Sequence, residues 1–433
     1  MKKYVRWMMA AMCGMTFAFS MPAQGNGAPP VAKNTFADVA ITKMERTVLH
    51  DNIAHYRYDV RVGPGQFDTF RLHRVVREQQ PNQPMRVPDA LFMLTGAPNT
   101  FEMIFMEPVV SPRLAWDRSI AVFLAKNGID VWGMDYRWAL VPPETTDFAF
   151  MKEWGIAKDA EDTQAGLSVA RQIREIPGQG HGQLHLLGFS WGVYVAYAVA
   201  GEETQTPPGH RNVKGIIPVD SSLWWNIEAE RLRACSAADA IQGQLDAGVY
   251  SDGSGLFLKG AAELAALDPN GPSPFAPVTN RQFILLVGAG SSPPPPGWHF
   301  VGGYFDESGV PTGLRFTDPG LWVDVLRAVP PYVPTKGQWD IFAVACGKPQ
   351  VTFDDHLQEI DVPILYVGAG GGEGTYGYYT TSLTASKDIT KFTVQLLQDD
   401  QRAFDYGHAD LFTAETSETL VWRPILNWIV AHR

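Results

Sequence analysis

The hydrophobic pattern opens with two β-like segments, 55–62 and 67–76, which the turn Gly63-Pro64-Gly65 should join as an antiparallel hairpin. Beyond them, apolar runs typical of strands buried on both faces alternate with segments of helical spacing. The apolar runs are 90–94, 129–134, 184–187, 213–219, 362–367 and 392–397. The helical segments are 116–126, 155–173, 193–200, 376–385 and 416–431. This alternation predicts an α/β fold with a mostly parallel central sheet flanked by helices.

The alternation is interrupted from 221 to about 360, where strand and helix patterns no longer repeat cleanly. This segment carries the proline run 293–296 and five tryptophans: Trp224, Trp225, Trp298, Trp322 and Trp339. We therefore expect a core in two parts, 36–220 and 361–433, with a cap or lid insertion at 221–360. The aromatic side chains could form walls of a site or simply the core of the cap itself.

The N-terminus has the pattern of an export signal. Lys2, Lys3 and Arg6 precede an uncharged, mostly apolar stretch, and small residues near Ser20 or Ala23 offer a cleavage site. The apolar stretch is too short for a permanent bilayer span. We expect residues 1–23 to be a signal peptide, with an uncleaved anchor as the alternative, and residues 24–35 to be a linker. The mature protein would be periplasmic or secreted, without a stable membrane span.

The charge and the cysteine content limit the kinds of partner and metal site that the protein could have. A net charge of −11 without a basic cluster beyond the N-terminus argues against a nucleic-acid partner. Beyond the signal segment only Cys235 and Cys346 remain. They would form one disulfide in an oxidising compartment or stay as two free thiols, and two cysteines alone cannot make a structural zinc site.

The most informative motif is Gly188-Phe189-Ser190-Trp191-Gly192, between an apolar strand and an apolar helix. A strand that turns sharply into a helix brings its ends together, and glycines at 188 and 192 leave room for this. The serine between them would sit on a strained turn with its hydroxyl exposed above the sheet. Ser190 is therefore the candidate nucleophile.

The order of hairpin, loop-bearing strand, nucleophile turn, insertion and two final strands resembles the α/β-hydrolase superfamily over the whole chain after the linker. Between Phe123 and Gly192 the spacing looks most like the acid-lipase and esterase branch. The resemblance implies a serine hydrolase with an acid and then a histidine following the serine along the chain.

The catalytic histidine implied by this order is His408. It stands in Asp405-Tyr406-Gly407-His408, after the last strand and before the last helix. The other histidines after Ser190 fit the role less well, because they lie too early, in or near the insertion, or at the terminus: His210, His299, His356 and His432.

The acid has two candidates. Asp220 directly follows the strand ending at Val219, and Glu373 follows the strand ending at Val367, within the glycine-rich stretch 368–374. A triad acid must hold the imidazole in a fixed orientation, which favours Asp220 over a carboxylate in a glycine-rich loop.

An oxyanion hole needs two backbone N–H donors. Trp191, directly after the serine, would supply one, and the loop Thr95-Gly96-Ala97-Pro98 would supply the other. Ala97 is the donor expected there, since Pro98 has no N–H. Members of the superfamily often have His-Gly where this chain has Thr95-Gly96.

Two other motifs are weaker. His181 and His185 have a metal-like spacing, but they run across a turn into a strand, so we expect a structural role and no metal site. Glycines 368–374 lack the Lys-Ser/Thr of a phosphate-binding loop, which leaves a mobile loop near the site as the expectation.

Together these features predict an exported serine hydrolase, and the superfamily resemblance implies that it cleaves a small-molecule carboxylic ester, of bulky or apolar type, through an acyl-enzyme and without a cofactor. Amide hydrolysis or another acyl transfer on the same residues is one alternative. A non-catalytic ligand-binding protein of the same fold is another, because fold alone does not fix function.

Overall fold

The computed structural model describes residues 39–176, 182–292 and 295–433. A central sheet of nine strands organises them, and the short segment Gln83–Pro84 pairs with the third strand. The strands are β1 (Ala40–His50), β2 (Ile53–Arg61), β3 (Thr69–Gln80), β4 (Ala90–Leu94), β5 (Asp130–Asp135), β6 (Leu184–Phe189), β7 (Val213–Val219), β8 (Ile364–Ala369) and β9 (Ile389–Val394). Across the sheet they lie in the order β1-β2-β3-β5-β4-β6-β7-β8-β9.

The sheet is parallel from β5 to β9 and antiparallel from β1 to β5. The predicted α/β class and the predicted pairing of β2 with β3 are confirmed. Strand β1 was not predicted. It lies at the edge, and all but one of its residues are exposed or half-buried, so it carries no burial pattern in its sequence.

Helices lie on both faces of the sheet and in the inserted segment. They are α1 (Phe101–Phe105), α2 (Ile120–Lys126), α3 (Ile156–Glu175), α4 (Trp191–Thr204), α5 (Glu228–Asp246), α6 (Ser254–Leu267), α7 (Asn280–Ala289), α8 (Pro319–Arg327), α9 (Thr335–Cys346), α10 (Tyr378–Ser382), α11 (Asp410–Thr413) and α12 (Arg423–Ala431). One apolar cluster packs α3 and α4 against one face, and a second packs α2 and α12 against the other.

Several predicted boundaries differ from the structure by a few residues, and three of the differences are instructive. Helix α2 begins only at Ile120, because the Ser119 side chain accepts the Val122 N–H and caps it there. Strand β9 is 389–394 rather than 392–397, since the N–H groups of Leu396 and Leu397 donate to the Asp405 carboxylate instead of a neighbouring strand. The predicted closing helix is a π-helical turn, Glu418–Trp422, followed by α12.

The segment 221–360 supplies five of these helices and no strand of the central sheet in its described part. Trp339 and Val344 of α9 belong to the same apolar cluster as α3 and α4. Phe283 and Trp322 instead form a separate core between α7 and α8. The expected insertion is thus joined to the sheet through α9 and has a core of its own.

A disulfide joins Cys235 of α5 to Cys346 of α9, with the Cα atoms 4.8 Å apart. Of the two states expected from the sequence, the structure has the bridged one. It closes a loop of 111 residues that contains α6, α7 and α8.

The expected signal peptide and linker, residues 1–35, lie outside the described residues. No helix in the described ranges combines the length and apolarity needed to cross a bilayer.

Replacing Cys235 and Cys346 together by serine should lower the thermal unfolding midpoint. Long cross-linked loops restrict the unfolded chain, and loss of a disulfide typically costs about 2–4 kcal/mol. Differential scanning calorimetry with and without a thiol reductant measures this. The reductant should destabilise the wild type but not the double variant; equal effects on both would contradict the bridge.

Candidate active site

The turn between β6 and α4 has the strained geometry expected of a nucleophile turn. Ser190 has φ 55° and ψ −116°, a conformation that L-residues rarely adopt. A Cβ at Gly188 would overlap the carbonyl of Gly192, and a Cβ at Gly192 would lie 2.5 Å from the carbonyl oxygen of Leu94. Only glycine fits at both positions, so the motif is a steric requirement of this turn.

The loop after β4 lies directly against Ser190. A Cβ at Gly96 would lie 2.7 Å from the Ser190 Cβ and 3.2 Å from its Oγ. The structure therefore brings the segment containing Ala97 to the nucleophile turn. Trp191, on the other side, is the first residue of α4, and an N–H in this position has no acceptor within its own helix.

His408 and Asp220 meet in a buried hydrogen bond. The Nδ1 of His408 lies 2.7 Å from Oδ2 of Asp220. Since a carboxylate can only accept, Nδ1 carries the proton and Nε2 is left as the basic nitrogen. The rings of His408 and Phe189 stack at a centroid distance of 4.5 Å, so the imidazole lies over the residue before Ser190. In the described part of the chain the Ser190 hydroxyl has no hydrogen-bond partner of its own.

The glycine-rich loop after β8 encloses the carboxylate of Asp220. Backbone N–H groups of Ala369 and Gly374 donate to Oδ1 at 2.7 and 3.0 Å, and that of Glu373 donates to Oδ2 at 3.1 Å. A Cβ at Gly372 would overlap Oδ2. These glycines allow the backbone to close around the buried carboxylate, which is a role that the sequence did not predict for the loop.

Glu373 contacts Asp220 through its backbone N–H rather than its side chain. Its Oε2 is buried and has no hydrogen-bond partner among the described residues. Burial, reinforced by the neighbouring Asp220 charge, raises the pKa of Glu373 well above its ordinary value. A neutral carboxyl without contact to His408 is poorly suited to stabilise an imidazolium, whereas Asp220 is in direct contact with the ring.

The loop that carries His408 is fixed by Asp410. Its Oδ2 accepts the N–H groups of Gly407 and Gly302 at 2.8 and 2.7 Å, and its Oδ1 accepts the Thr317 hydroxyl at 2.6 Å. Burial raises the pKa of Asp410 to about 6. Asp410 thus holds Gly407 of the histidine loop and joins this loop to the insertion through two hydrogen bonds, with Gly302 and Thr317.

His299, a buried residue of the insertion, also links the insertion to the histidine loop. Its backbone carbonyl accepts the His408 N–H at 3.0 Å, and its own N–H donates to Gly371 at 2.9 Å. Its ring nitrogens lie 2.8 Å from the carbonyl oxygens of Gly297 and Asp405. His299 therefore connects the histidine loop with the loop that encloses Asp220.

The tryptophans of the insertion divide between two roles. The ring of Trp298 lies 5.2 Å from that of His408, and Phe300 lies 6.3 Å from it. Trp322 and Trp339 are buried in apolar clusters. The aromatic rings next to His408 therefore come from residues 298–300. Trp322 and Trp339 instead stabilise the insertion and its packing on the sheet.

The described residues contain one group with metal-ligand potential, His55, His73 and Glu102, whose ligand atoms lie within 4.8 Å of one another. The two rings share a hydrogen bond of 2.9 Å, and His73 also bonds Asp135, which accepts the Phe101 N–H at 2.7 Å. This series of hydrogen bonds holds the start of α1, which lies just after the loop at Gly96. It is more simply a structural network than a metal centre.

Of the other histidine candidates, His185 is buried on β6 with its ring 5.1 Å from that of Trp428. His181 lies outside the described residues. His210 and His356 lie in or beside short 3₁₀ turns, and His432 ends α12. Sequence reasoning missed Asp410 and His299 as supports of His408. The position of Asp410, two residues after His408, was the one feature near His408 in the sequence that could have indicated its role. No such feature indicated the role of His299.

Comparison with known proteins supports the fold and goes no further. No protein-family model and no curated protein matches the sequence. A solved structure from Sulfolobus solfataricus, provisionally named a lipase, matches with a TM-score of 0.62 at 19% identity, covering 92% of this chain and 100% of that one. A carboxyl esterase from Bacillus coagulans covers 87% and 98% of the two chains at 10% identity, but its TM-score of 0.46 is too low to carry an argument. Together with the strand order, the first match shows that the chain has the α/β-hydrolase fold predicted from the sequence. The resemblance to the acid-lipase branch remains a prediction.

Replacing Asp410 by asparagine should preserve the loop, because an amide oxygen can still accept from Gly407 and Gly302. Its alanine variant leaves those two buried N–H groups unpaired, at a cost of roughly 1–3 kcal/mol each. The folded-state pKa is raised, so the wild-type free energy of unfolding receives a contribution from Asp410 that falls as pH rises from about 4 to about 6. Thermal unfolding measured at pH 4 and at pH 7 should show that stability falls less between these two pH values in the asparagine variant than in the wild type. An identical pH dependence would contradict this assignment.

Proposed function

We propose that the protein is an exported serine hydrolase that cleaves carboxylic esters through an acyl-enzyme. The observation that carries the proposal is the 2.7 Å bond between His408 and Asp220, beside a serine held at positive φ. A buried carboxylate, an imidazole with a free Nε2 and a strained serine form the constellation used for nucleophilic acyl transfer.

In the proposed reaction the Ser190 Oγ attacks the ester carbonyl carbon while its proton passes to Nε2 of His408. The resulting oxyanion accepts hydrogen bonds from the backbone N–H groups of Trp191 and Ala97. Collapse of this intermediate breaks the bond to the alcohol, which leaves with the proton from Nε2. Water then attacks the acyl-enzyme by the same sequence, which releases the acid and regenerates Ser190.

Asp220 is the proposed acid, and Glu373 is not. Four donors converge on the Asp220 carboxylate, and one of them is the Nδ1–H of His408, so the carboxylate is fixed in direct contact with the imidazole. Glu373 would contribute one of these donors through its backbone.

Two further observations bear on substrate and location. Trp298 and Phe300 place apolar rings beside His408, which favours a bulky or apolar ester. The Cys235–Cys346 disulfide is of the kind that persists in oxidising compartments, which favours export.

A fluorophosphonate probe tests the nucleophile. The wild type should be labelled once, and Ser190→Ala should lose the label. Ser236→Ala, which changes an exposed hydroxyl on α5, is the matched control and should be labelled like the wild type. An unlabelled wild type would favour the non-catalytic binding protein, and a labelled Ser190→Ala would place the nucleophile elsewhere.

The acid is tested by the pair Asp220→Asn and Glu373→Gln, both nearly isosteric. Loss of a triad acid lowers kcat by about four orders of magnitude, because the imidazole loses its orientation and its counter-charge. Asp220→Asn should show a decrease of this order, whereas Glu373→Gln, which keeps its backbone N–H, should stay within about tenfold of the wild type. Kinetics on p-nitrophenyl esters and matching anilides of increasing acyl length measure both effects and separate ester from amide hydrolysis. The reverse ranking of the two variants would make Glu373 the acid.

A further inference from the structure

The side chain of Trp191 is fixed by a buried carboxyl group of a different helix. Its Nε1 donates to Oδ2 of Asp159 on α3 at 2.8 Å, and the Trp138 Nε1 lies 3.4 Å from the same oxygen. Asp159 is only 2% exposed. Burial raises its pKa to about 8, so at neutral pH the group accepts both indole N–H groups largely without burying a full charge.

The inserted segment touches the same indole from another side. Gly337, in the first turn of α9, lies so close to the six-membered ring of Trp191 that a Cβ there would overlap Cη2 and Cζ2. Three residues further along the same helix face, the Asp340 carboxylate accepts the Ile156 N–H at 2.8 Å and caps α3. Helix α9 thus packs on Trp191 and also holds the start of the helix that carries Asp159.

We propose that Asp159 and Gly337 are positioning residues that act through the Trp191 indole to set the backbone N–H of Trp191, an oxyanion donor. This inference rests on the proposed function. The backbone at Ser190 is strained and keeps its conformation only where its surroundings determine it. The Trp191 indole, held by α3 and α9, helps to fix this backbone, because it belongs to the residue next to Ser190. The insertion would then tune the chemical step as well as line the site.

The magnitude follows from what an oxyanion donor contributes. Removal of one donor typically lowers kcat by about 10²–10³-fold, and a displacement of the order of 1 Å can cost about 10²-fold. A displaced donor weakens binding of the transition state more than that of the substrate, so kcat should fall while KM stays nearly constant.

Gly337→Ala is the primary test, because the added methyl group can be accommodated only if the indole moves. Gly260→Ala, in helix α6 of the same insertion, is the matched control, since no heavy atom lies within 4 Å of its added Cβ. Gly337→Ala should lower kcat on a p-nitrophenyl ester at least tenfold with KM within about threefold. Its affinity for an alkyl boronic acid, which mimics the tetrahedral intermediate, should fall in parallel. Gly260→Ala should match the wild type in all three.

A double-mutant cycle with Trp191→Phe separates an effect through the indole from a general disturbance of α9. Phenylalanine keeps the backbone N–H but lacks the ring atoms that face Gly337, so adding Gly337→Ala to Trp191→Phe should cost almost nothing more. Asp159→Leu, which keeps roughly the shape of the carboxyl group but offers no acceptor to either indole N–H, should lower kcat in the same direction as Gly337→Ala.

Circular dichroism and the thermal midpoint identify any variant that fails to fold, and if Gly337→Ala fails to fold, the cycle relies on Asp159→Leu in its place. Additive losses, or a loss confined to KM, would overturn the inference while leaving the proposed function intact. A wild type that no fluorophosphonate labels would overturn the proposed function and this inference with it.

Discussion

The carboxylate of Asp220 is the interaction on which the arrangement of the candidate site depends. It lies at the end of β7 at φ 54°, and it is completely buried. Such an anion is stable only if donors surround it, and it receives three backbone N–H groups from the loop after β8 in addition to His408. The loop can approach closely enough only because it is rich in glycine. Strand end, glycine loop and imidazole therefore form one interdependent unit.

The insertion is hydrogen-bonded to this unit and is therefore part of it, rather than a separate cap that lies over it. His299 contacts both the glycine loop and the backbone of His408, and Asp410 bonds Gly302 and Thr317 of the insertion. At the opposite side of the nucleophile, Gly337 packs on Trp191. Because protein interiors are close-packed and hardly compressible, a displacement at one of these contacts is passed on to its neighbours. The segment that interrupts the alternation of strands and helices thus supports the histidine and the serine from two directions.

The sequence was informative where a local steric rule applies. Gly188 and Gly192 could be assigned from the turn alone, and the strand ends at Val219 and Val367 located both candidate acids. It was uninformative where partners are distant in sequence. Nothing near Asp159 indicates that it meets Trp191, 32 residues later, or that Gly337 lies against the same ring. The role of the glycine loop could not be predicted for the same reason, since its backbone donates to Asp220, about 150 residues earlier.

The central claim is that Ser190 carries the acyl group during turnover. Acid quenching during the hydrolysis of p-nitrophenyl butyrate, followed by proteolysis and mass spectrometry, tests it most directly. One butyryl group is expected on the peptide that contains Ser190, and none on the corresponding peptide of Ser190→Ala. A turnover-competent enzyme with no acylated peptide, or with the acyl group on another residue, would contradict it.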